Sequence, residues 1–162
     1  MLLVDQARRI AESINDPEVP VLTLGDLGVI RDIYEEEGCA VVCITPTYSG
    51  CPASDYINAL VSQALEQAGI KAFIKTVLSP AWTTDWLSED GKQKLSAYGI
   101  APPVDSQSDD LFFEPTVPCP NCQSTHTRQL AEFGSTPCKA HYQCLTCKEP
   151  FDYFKCFKRM SA

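Results

Sequence analysis

Apolar residues recur at helical spacing from the start of the chain. Leu3, Ala7, Ile10 and Ile14 share one face, which predicts a first helix ending before Asn15-Asp16-Pro17, where proline opposes continuation. The period then changes. Val29 to Tyr34 and Cys39 to Thr45 are runs rich in β-branched residues joined by Glu35-Glu36-Glu37-Gly38, the pattern of a hairpin with an acidic tip and a glycine free to take positive φ. Helical spacing returns at Ala53, Ile57, Leu60, Val61, Ala64 and Ala68. Gly50-Cys51-Pro52 forms the start of that second helix and Gly69 its stop, because proline suits the first helical position and glycine the end. Ile70, Ala72, Ile74 and Leu78 then alternate with Lys71, Phe73 and Lys75, predicting a strand with one well-buried face. A short helix is expected between Asp85 and Tyr98. The order α-β-β-α-β, with a crossover helix between the second and third strands, gives an α+β fold built on a small mixed sheet covered by helices.

The pattern breaks after Tyr98. Residues 99–117 hold Pro102, Pro103 and Pro115 among small and acidic residues, a composition that resists both helix and central strand. This predicts three parts: a domain over 1–98, a Pro-rich acidic linker over 99–117 whose Leu111-Phe112-Phe113 docks on a domain, and a second domain over 118–162. Charge divides at the same place. Residues 1–117 carry a net −11 and residues 118–162 a net +3, within an overall −8. Such a balance disfavours the general attraction to polyanions that nonspecific nucleic-acid or anionic-membrane binding requires. Other proteins, a second copy of the chain included, remain as partner classes. No long apolar run opens the sequence, so neither a signal peptide nor a membrane anchor is expected. A cytoplasmic protein with nine cysteines points to metal or sulfur chemistry more than to disulfides.

Six of those cysteines crowd the last quarter. Cys119-Pro-Asn-Cys122 and Cys144-Leu-Thr-Cys147 make two C-x2-C units. Each puts two thiolates on a tight turn, and together they supply a tetrahedral four-sulfur shell suited to zinc or iron. A unit of roughly 40 residues seldom buries enough apolar surface to fold unaided, and structural zinc contributes on the order of 10 kcal/mol or more. A zinc ribbon is therefore expected, with a closed shell that serves as scaffold. Cys138 and Cys156 are left over and read as small packing residues, while His126 and His141 read as surface or hairpin positions. The tail is locally basic beside several aromatics, a combination also found in nucleic-acid binders, but the acidic first domain opposes that ligand.

Thr45-Pro-Thr-Tyr-Ser-Gly-Cys51-Pro52 places a cysteine where a strand gives way to a helix. Backbone N–H groups and the positive end of the helix dipole favour a thiolate there, hence a metal ligand or nucleophile; an inert capping or buried residue is the competing reading. Asp16 and Glu18, after the first helix, either approach Cys51 or simply end the helix. Cys39 and Cys43 share a strand face and are expected in the core. Glu35, Glu36 and Glu37 read as a solvated tip, and Trp82 and Trp86 as a packing pair.

The segment Asn15-Asp-Pro-Glu-Val-Pro-Val-Leu-Thr-Leu-Gly-Asp-Leu-Gly-Val-Ile30, followed by Thr45 and Cys51-Pro52 in order, resembles the SufT-like family of iron–sulfur assembly domains. With the appended ribbon, its Glu132-to-Ala140 stretch and Phe151-Asp-Tyr-Phe-Lys-Cys156, nearly the whole chain is similar to the PaaD family of phenylacetyl-CoA epoxidase (phenylacetate-CoA oxygenase) systems. The resemblance implies a non-catalytic accessory protein of aerobic phenylacetate degradation, whose partners are the oxygenase and reductase subunits that carry out ring 1,2-epoxidation. It implies Cys51 as functional thiol, transiently holding iron or an iron–sulfur cluster, with Asp16, Glu18 and Thr45 as its motif companions. Cys119, Cys122, Cys144 and Cys147 would hold a structural zinc or, alternatively, an iron–sulfur cluster. Two other roles stay open: a structural subunit of the oxygenase complex, and a thiol enzyme dependent on Cys51.

Overall fold

The computed structural model describes residues 2–47, 53–104, 116–136 and 138–154. The chain divides into two compact units, Met1–Gly91 and Lys92–Ala162. In the first, helix α1 (Leu2–Glu12) buries Ala7 and Ala11. A short helix α2 (Leu24–Leu27) follows. Its cap is a reciprocal box in which the Thr23 hydroxyl accepts from the Asp26 N–H and the Asp26 carboxylate accepts from the Thr23 N–H, so two otherwise orphaned donors are satisfied together. Gly28 ends α2 at φ +71°, and a Cβ there would lie 2.5 Å from the Trp86 carbonyl oxygen. Only glycine meets both demands.

Strands β1 (Ile30–Glu36), β2 (Cys39–Ile44) and β3 (Ala72–Thr76) form a sheet in the order β1-β2-β3. The β1–β2 pair is an antiparallel hairpin and β2–β3 is parallel, as the crossover through helix α3 (Ser54–Gln67) requires. Helices α1 and α3 pack on the sheet and on each other, enclosing Val42, Val61 and Leu65, all fully buried. The mixed α+β architecture agrees with the sequence in its order of elements, with α2 added.

Details of the patterning differ. The buried stripe of α3 is Ile57, Val61 and Leu65, and Ala68 is exposed; spacing of four residues keeps 57, 61 and 65 on one face, which 68 leaves as the helix ends. Strand β3 is half-buried at best because it lies at the edge of the sheet. Cys39 and Cys43 share a face as expected, the side of β2 opposite Ala40, Val42 and Ile44; Cys43 is buried in the core as expected, and Cys39, at the strand end, is half-buried.

Trp82 is buried and its indole N–H donates to the Leu27 carbonyl at 2.7 Å. The Arg31 guanidinium sits 3.5 Å from the centre of the Trp86 ring. Both tryptophans therefore hold the α2–β1 junction.

In the second unit, helix α4 (Glu89–Tyr98), whose first residues belong to the preceding unit, leads to β4 (Ile100–Ala101). Strands β5 (Thr127–Ala131), β6 (Lys139–Cys144) and β7 (Pro150–Phe154) complete a sheet of order β4-β7-β6-β5. The expected linker is thus not connector throughout, since Ile100 and Ala101 pair in parallel with Asp152 and Tyr153 and both are buried. Proline density begins only at Pro102, which leaves these two residues free to join the ladder. The core comprises Ala101, Val117, Cys119, Ala140, Tyr142, Cys144, Phe151 and Tyr153. The Leu111-Phe112-Phe113 insert lies outside the described residues, as does Cys156. Among the described residues no helix is long and apolar enough to cross a membrane.

Candidate metal centre and assembly site

Two tight turns build the four-cysteine site, and they repeat each other. Cys119 N–H donates to the Ser124 carbonyl and Cys144 N–H to the Glu149 carbonyl, five residues on in each case. The residue after the second cysteine of each turn, Gln123 or Lys148, has positive φ. One backbone N–H in each turn points at the first sulfur: Asn121 N to Cys119 Sγ and Cys147 N to Cys144 Sγ, both at 3.4 Å. These donors stabilise negative sulfur.

All four Sγ atoms lie within 4.8 Å of one another, with Cys119–Cys147 at 3.8 Å and Cys122–Cys144 at 3.6 Å. Tetrahedral coordination with metal–sulfur bonds of about 2.3 Å requires edges of roughly 3.8 Å, so the donor set fits a single ion. The thiols are also unequal. The Cys147 N–H, ahead of other backbone and thiol contacts, brings Cys144 down to about 6. The Glu149 N–H and the Asn121 side chain lower Cys147. Cys122 is pushed up to about 11: its hydrogen bond from the Ser124 backbone favours the thiolate, but loss of water and three neighbouring sulfurs outweigh it. Without a cation, four negative sulfurs cannot be sustained this close together. The four cysteines form a donor set suited to a single metal ion.

His126 is exposed and His141 half-buried; neither joins the sulfur cluster, and His141 Nδ1 lies 3.6 Å from Asp152 on the neighbouring strand. Cys138 is buried, with its sulfur 2.9 Å from the Thr136 hydroxyl, and lies apart from the metal-ligand group.

The first unit has a small recess, open to solvent, at the end of the sheet where β2 and β3 finish. Asp16, Glu18, Ile44, Thr47, Ser54, Ile57, Asn58 and Thr76 are among the residues that line it. The acidic turn after α1 is therefore both a turn and a wall. Asp16 is 7% exposed, and its Oδ1 accepts from the Glu18 and Val19 N–H groups at 2.8 Å each, which fixes the loop carrying Glu18. Asn58 reaches across to the Thr76 hydroxyl at 3.5 Å.

Two hydroxyls stand out at this end of the fold. Thr45 Oγ1 and Ser54 Oγ are buried without a hydrogen-bond partner among the described residues. An orphaned buried hydroxyl costs about 1–3 kcal/mol unless something supplies its partner. Cys51 lies outside the described residues. In sequence it sits between Thr47 and Ser54, both of which line the recess. Sequence reasoning singled out Asp16, Glu18 and Thr45 but missed Thr47, Ser54, Asn58 and Thr76, which three different elements contribute and no local pattern links.

Comparison with known proteins bears on both units. A family model described as iron–sulfur cluster assembly protein matches residues 5–78, and one described as PaaD zinc beta ribbon domain matches residues 103–155. The chain is 45% identical over 148 residues to a putative 1,2-phenylacetyl-CoA epoxidase subunit of Escherichia coli, covering 91% of this chain and 89% of that protein. It is 33% identical over 90 residues to an Fe-S protein maturation auxiliary factor of Porphyromonas gingivalis, covering 54% of this chain and 85% of that protein. Among solved structures, a domain of unknown function from Bacillus anthracis superposes with a TM-score of 0.54 at 24% identity, over 58% of this chain and 92% of that one, a likeness of fold.

Proposed function

Because the chain belongs to the PaaD family of 1,2-phenylacetyl-CoA epoxidase subunits, we propose that it matures the iron-dependent subunits of a phenylacetyl-CoA epoxidase and does not itself turn over substrate. The observation that carries this reading is the recess. Two carboxylate-bearing residues line it, two orphaned hydroxyls are buried at the same end of the sheet, and its lining residues Thr47 and Ser54 bracket Cys51 in sequence. The Cys51 thiolate would bind iron, or one iron of a cluster, as a soft anionic ligand. Transfer to the client is then ligand exchange, with no net oxidation or reduction at sulfur. Asp16 orders the loop and Glu18 sets a negative wall that favours a cation. The match of residues 5–78 to iron–sulfur assembly proteins supports the same assignment.

The ribbon has a separate part. We assign it a structural zinc and a docking role toward the oxygenase or reductase. A polynuclear cluster attaches its thiolates to different irons and spreads the sulfurs wider than a shared ion does, whereas four Sγ atoms within 4.8 Å favour one ion. The matching ribbon model, described as a zinc domain, supports zinc over mononuclear iron.

Client oxygenase and reductase produced in cells lacking the chain test the maturation reading. Expected are subunits that still assemble but contain little iron and little activity. A complex that falls apart, with fully loaded subunits, would instead identify a structural subunit.

The orphaned hydroxyls give a finer prediction. If Ser54 Oγ–H donates to the Cys51 sulfur, Ser54→Ala removes a bond worth about 1 kcal/mol, and the thiol pKa rises by somewhat under one unit. Alkylation of Cys51 followed against pH should shift upward accordingly, with Ser54→Thr restoring the wild-type profile. An unchanged profile in Ser54→Ala would assign the hydroxyl to another ligand.

A further inference from the structure

The side of the three-stranded sheet facing away from α1 and α3 has an ordered composition. Strand alternation and the observed register place three rows across it. Tyr34, Val41 and Phe73 form the middle row, since Tyr34 pairs with Val41 and Val41 with Phe73. Asp32, Cys43 and Lys75 form one flanking row by the same pairings. Glu36 and Cys39 form the other, completed by Lys71, two residues before Phe73 and so on the same face. The β1 column is acidic around an aromatic, the β2 column is apolar, and the β3 column is basic around an aromatic.

Phe73 is 64% exposed and Tyr34 37%. All four charged residues are exposed as well. In between, Val41 is buried to 4% and Cys43 to 7%. The exposed apolar surface of this face is thus its two edge-strand aromatics, with Val41 and Cys43 already buried between them, and opposite charges line opposite edges. An exposed face of this kind usually marks an interaction surface.

We propose that this face is a homodimer interface, packed against the same face of a second copy about a two-fold axis running along β2. The charge layout selects that partner. Rotation about an axis parallel to the strands lays β3 of one copy over β1 of the other while preserving position along the strands. Lys75 then meets Asp32 of the second copy, Lys71 meets Glu36, and Phe73 meets Tyr34. The face is self-complementary in both charge and apolar content, as an isologous interface must be, and the packing belongs to the aligned sheet-on-sheet class. Rotation about an axis perpendicular to the strands but within the interface would superpose acid on acid and base on base.

Three strands about 4.8 Å apart and five residues rising about 3.3 Å each make a patch of roughly 15 by 17 Å. That is below the area of about 800 Å² per partner typical of stable complexes, so the dimer is reversible. It does not depend on the role of Cys51, because the recess lies on the helix-covered side of the sheet.

Sedimentation equilibrium of the full chain across the micromolar range tests this interface. Wild type should show a concentration-dependent monomer–dimer equilibrium. Two charge-reversed variants, Lys71→Glu with Lys75→Glu and Asp32→Lys with Glu36→Lys, should each dimerise about tenfold or more weakly, since like charges then face each other. All four positions are exposed, so each variant should retain the wild-type circular dichroism spectrum. Mixing the two should restore a dimer containing one copy of each, because an all-acidic face then meets an all-basic one. Monomeric wild type throughout the range, dimerisation unaffected by either reversal, or variants that fail to complement when mixed would each overturn the proposal. Loss of oxygenase binding in the variants, with wild type monomeric, would assign the face to the client instead.

Discussion

Cells carrying Cys51→Ala in place of the wild-type chain are expected to accumulate client oxygenase in normal amount but with its iron, and with it epoxidase activity, reduced on the order of tenfold or more. The chain itself should fold normally. The core of the first unit includes Ala7, Ala11, Leu22, Leu24, Val42, Val61 and Leu65, and its α3 ladder begins with the Ile57 N–H to Ala53 carbonyl bond, all outside the segment that carries Cys51 in sequence. Cys51→Ser separates ligation from packing. It preserves size and polarity but offers a hydroxyl, a poor ligand for iron at neutral pH, so it should fail as alanine does. Metal analysis of the purified client, beside its activity, reads the result. Full iron and full activity with either variant would remove Cys51 from the mechanism. Full iron with lost activity would point to the thiol-enzyme reading.

The fold was legible wherever a segment's hydrophobic period matched its environment. The α1, β1, α3 and β3 segments each bury one face more than the other, so their periods of 3.6 or two survive in the sequence, while β2, buried on both faces, reads as a continuous apolar run. Helix α2 did not register because four residues make barely one turn, and its evidence is the Thr23–Asp26 box, a T-x-x-D signal weaker than the usual T-x-x-E. Strand β4 was hidden in a proline-rich stretch because two residues carry no period.

Cys39 and Cys43 show a different limit. Alternation reveals that two positions share a face, but which face receives the helices is a tertiary fact. The recess was half legible for the same reason. Asp16 and Glu18 stand in a recognisable turn, whereas Ser54, Asn58 and Thr76 join them only when the β2–α3–β3 crossover closes. The four ribbon cysteines were fully legible, because C-x2-C already encodes the turn that points both sulfurs one way.

Removing the metal from the ribbon should unfold that module while leaving the first unit intact. Among the described residues its main apolar cluster is eight residues, small for independent stability, and two of them, Cys119 and Cys144, belong to the four-cysteine donor set. A chelator therefore removes the cross-link and leaves buried thiols that repel one another when ionised. Bound zinc contributes on the order of 10 kcal/mol to such a module, far beyond what the contacts among Tyr142, Phe151 and Tyr153 can replace. Cys144→Ala should do the same genetically, taking zinc content from one per chain to near zero. Cys138→Ala, which removes a buried sulfur outside the cluster, should keep its zinc. Because binding displaces protons from the thiols, affinity should fall as pH is lowered. The two units report separately. Both tryptophans, Trp82 and Trp86, lie within Met1–Gly91, so their fluorescence should be unchanged by chelation while amide resonances of β5, β6 and β7 collapse to unfolded positions. Concerted loss of both signals would mean that the two units fold as one, and retention of both would show that the ribbon stands without its ion.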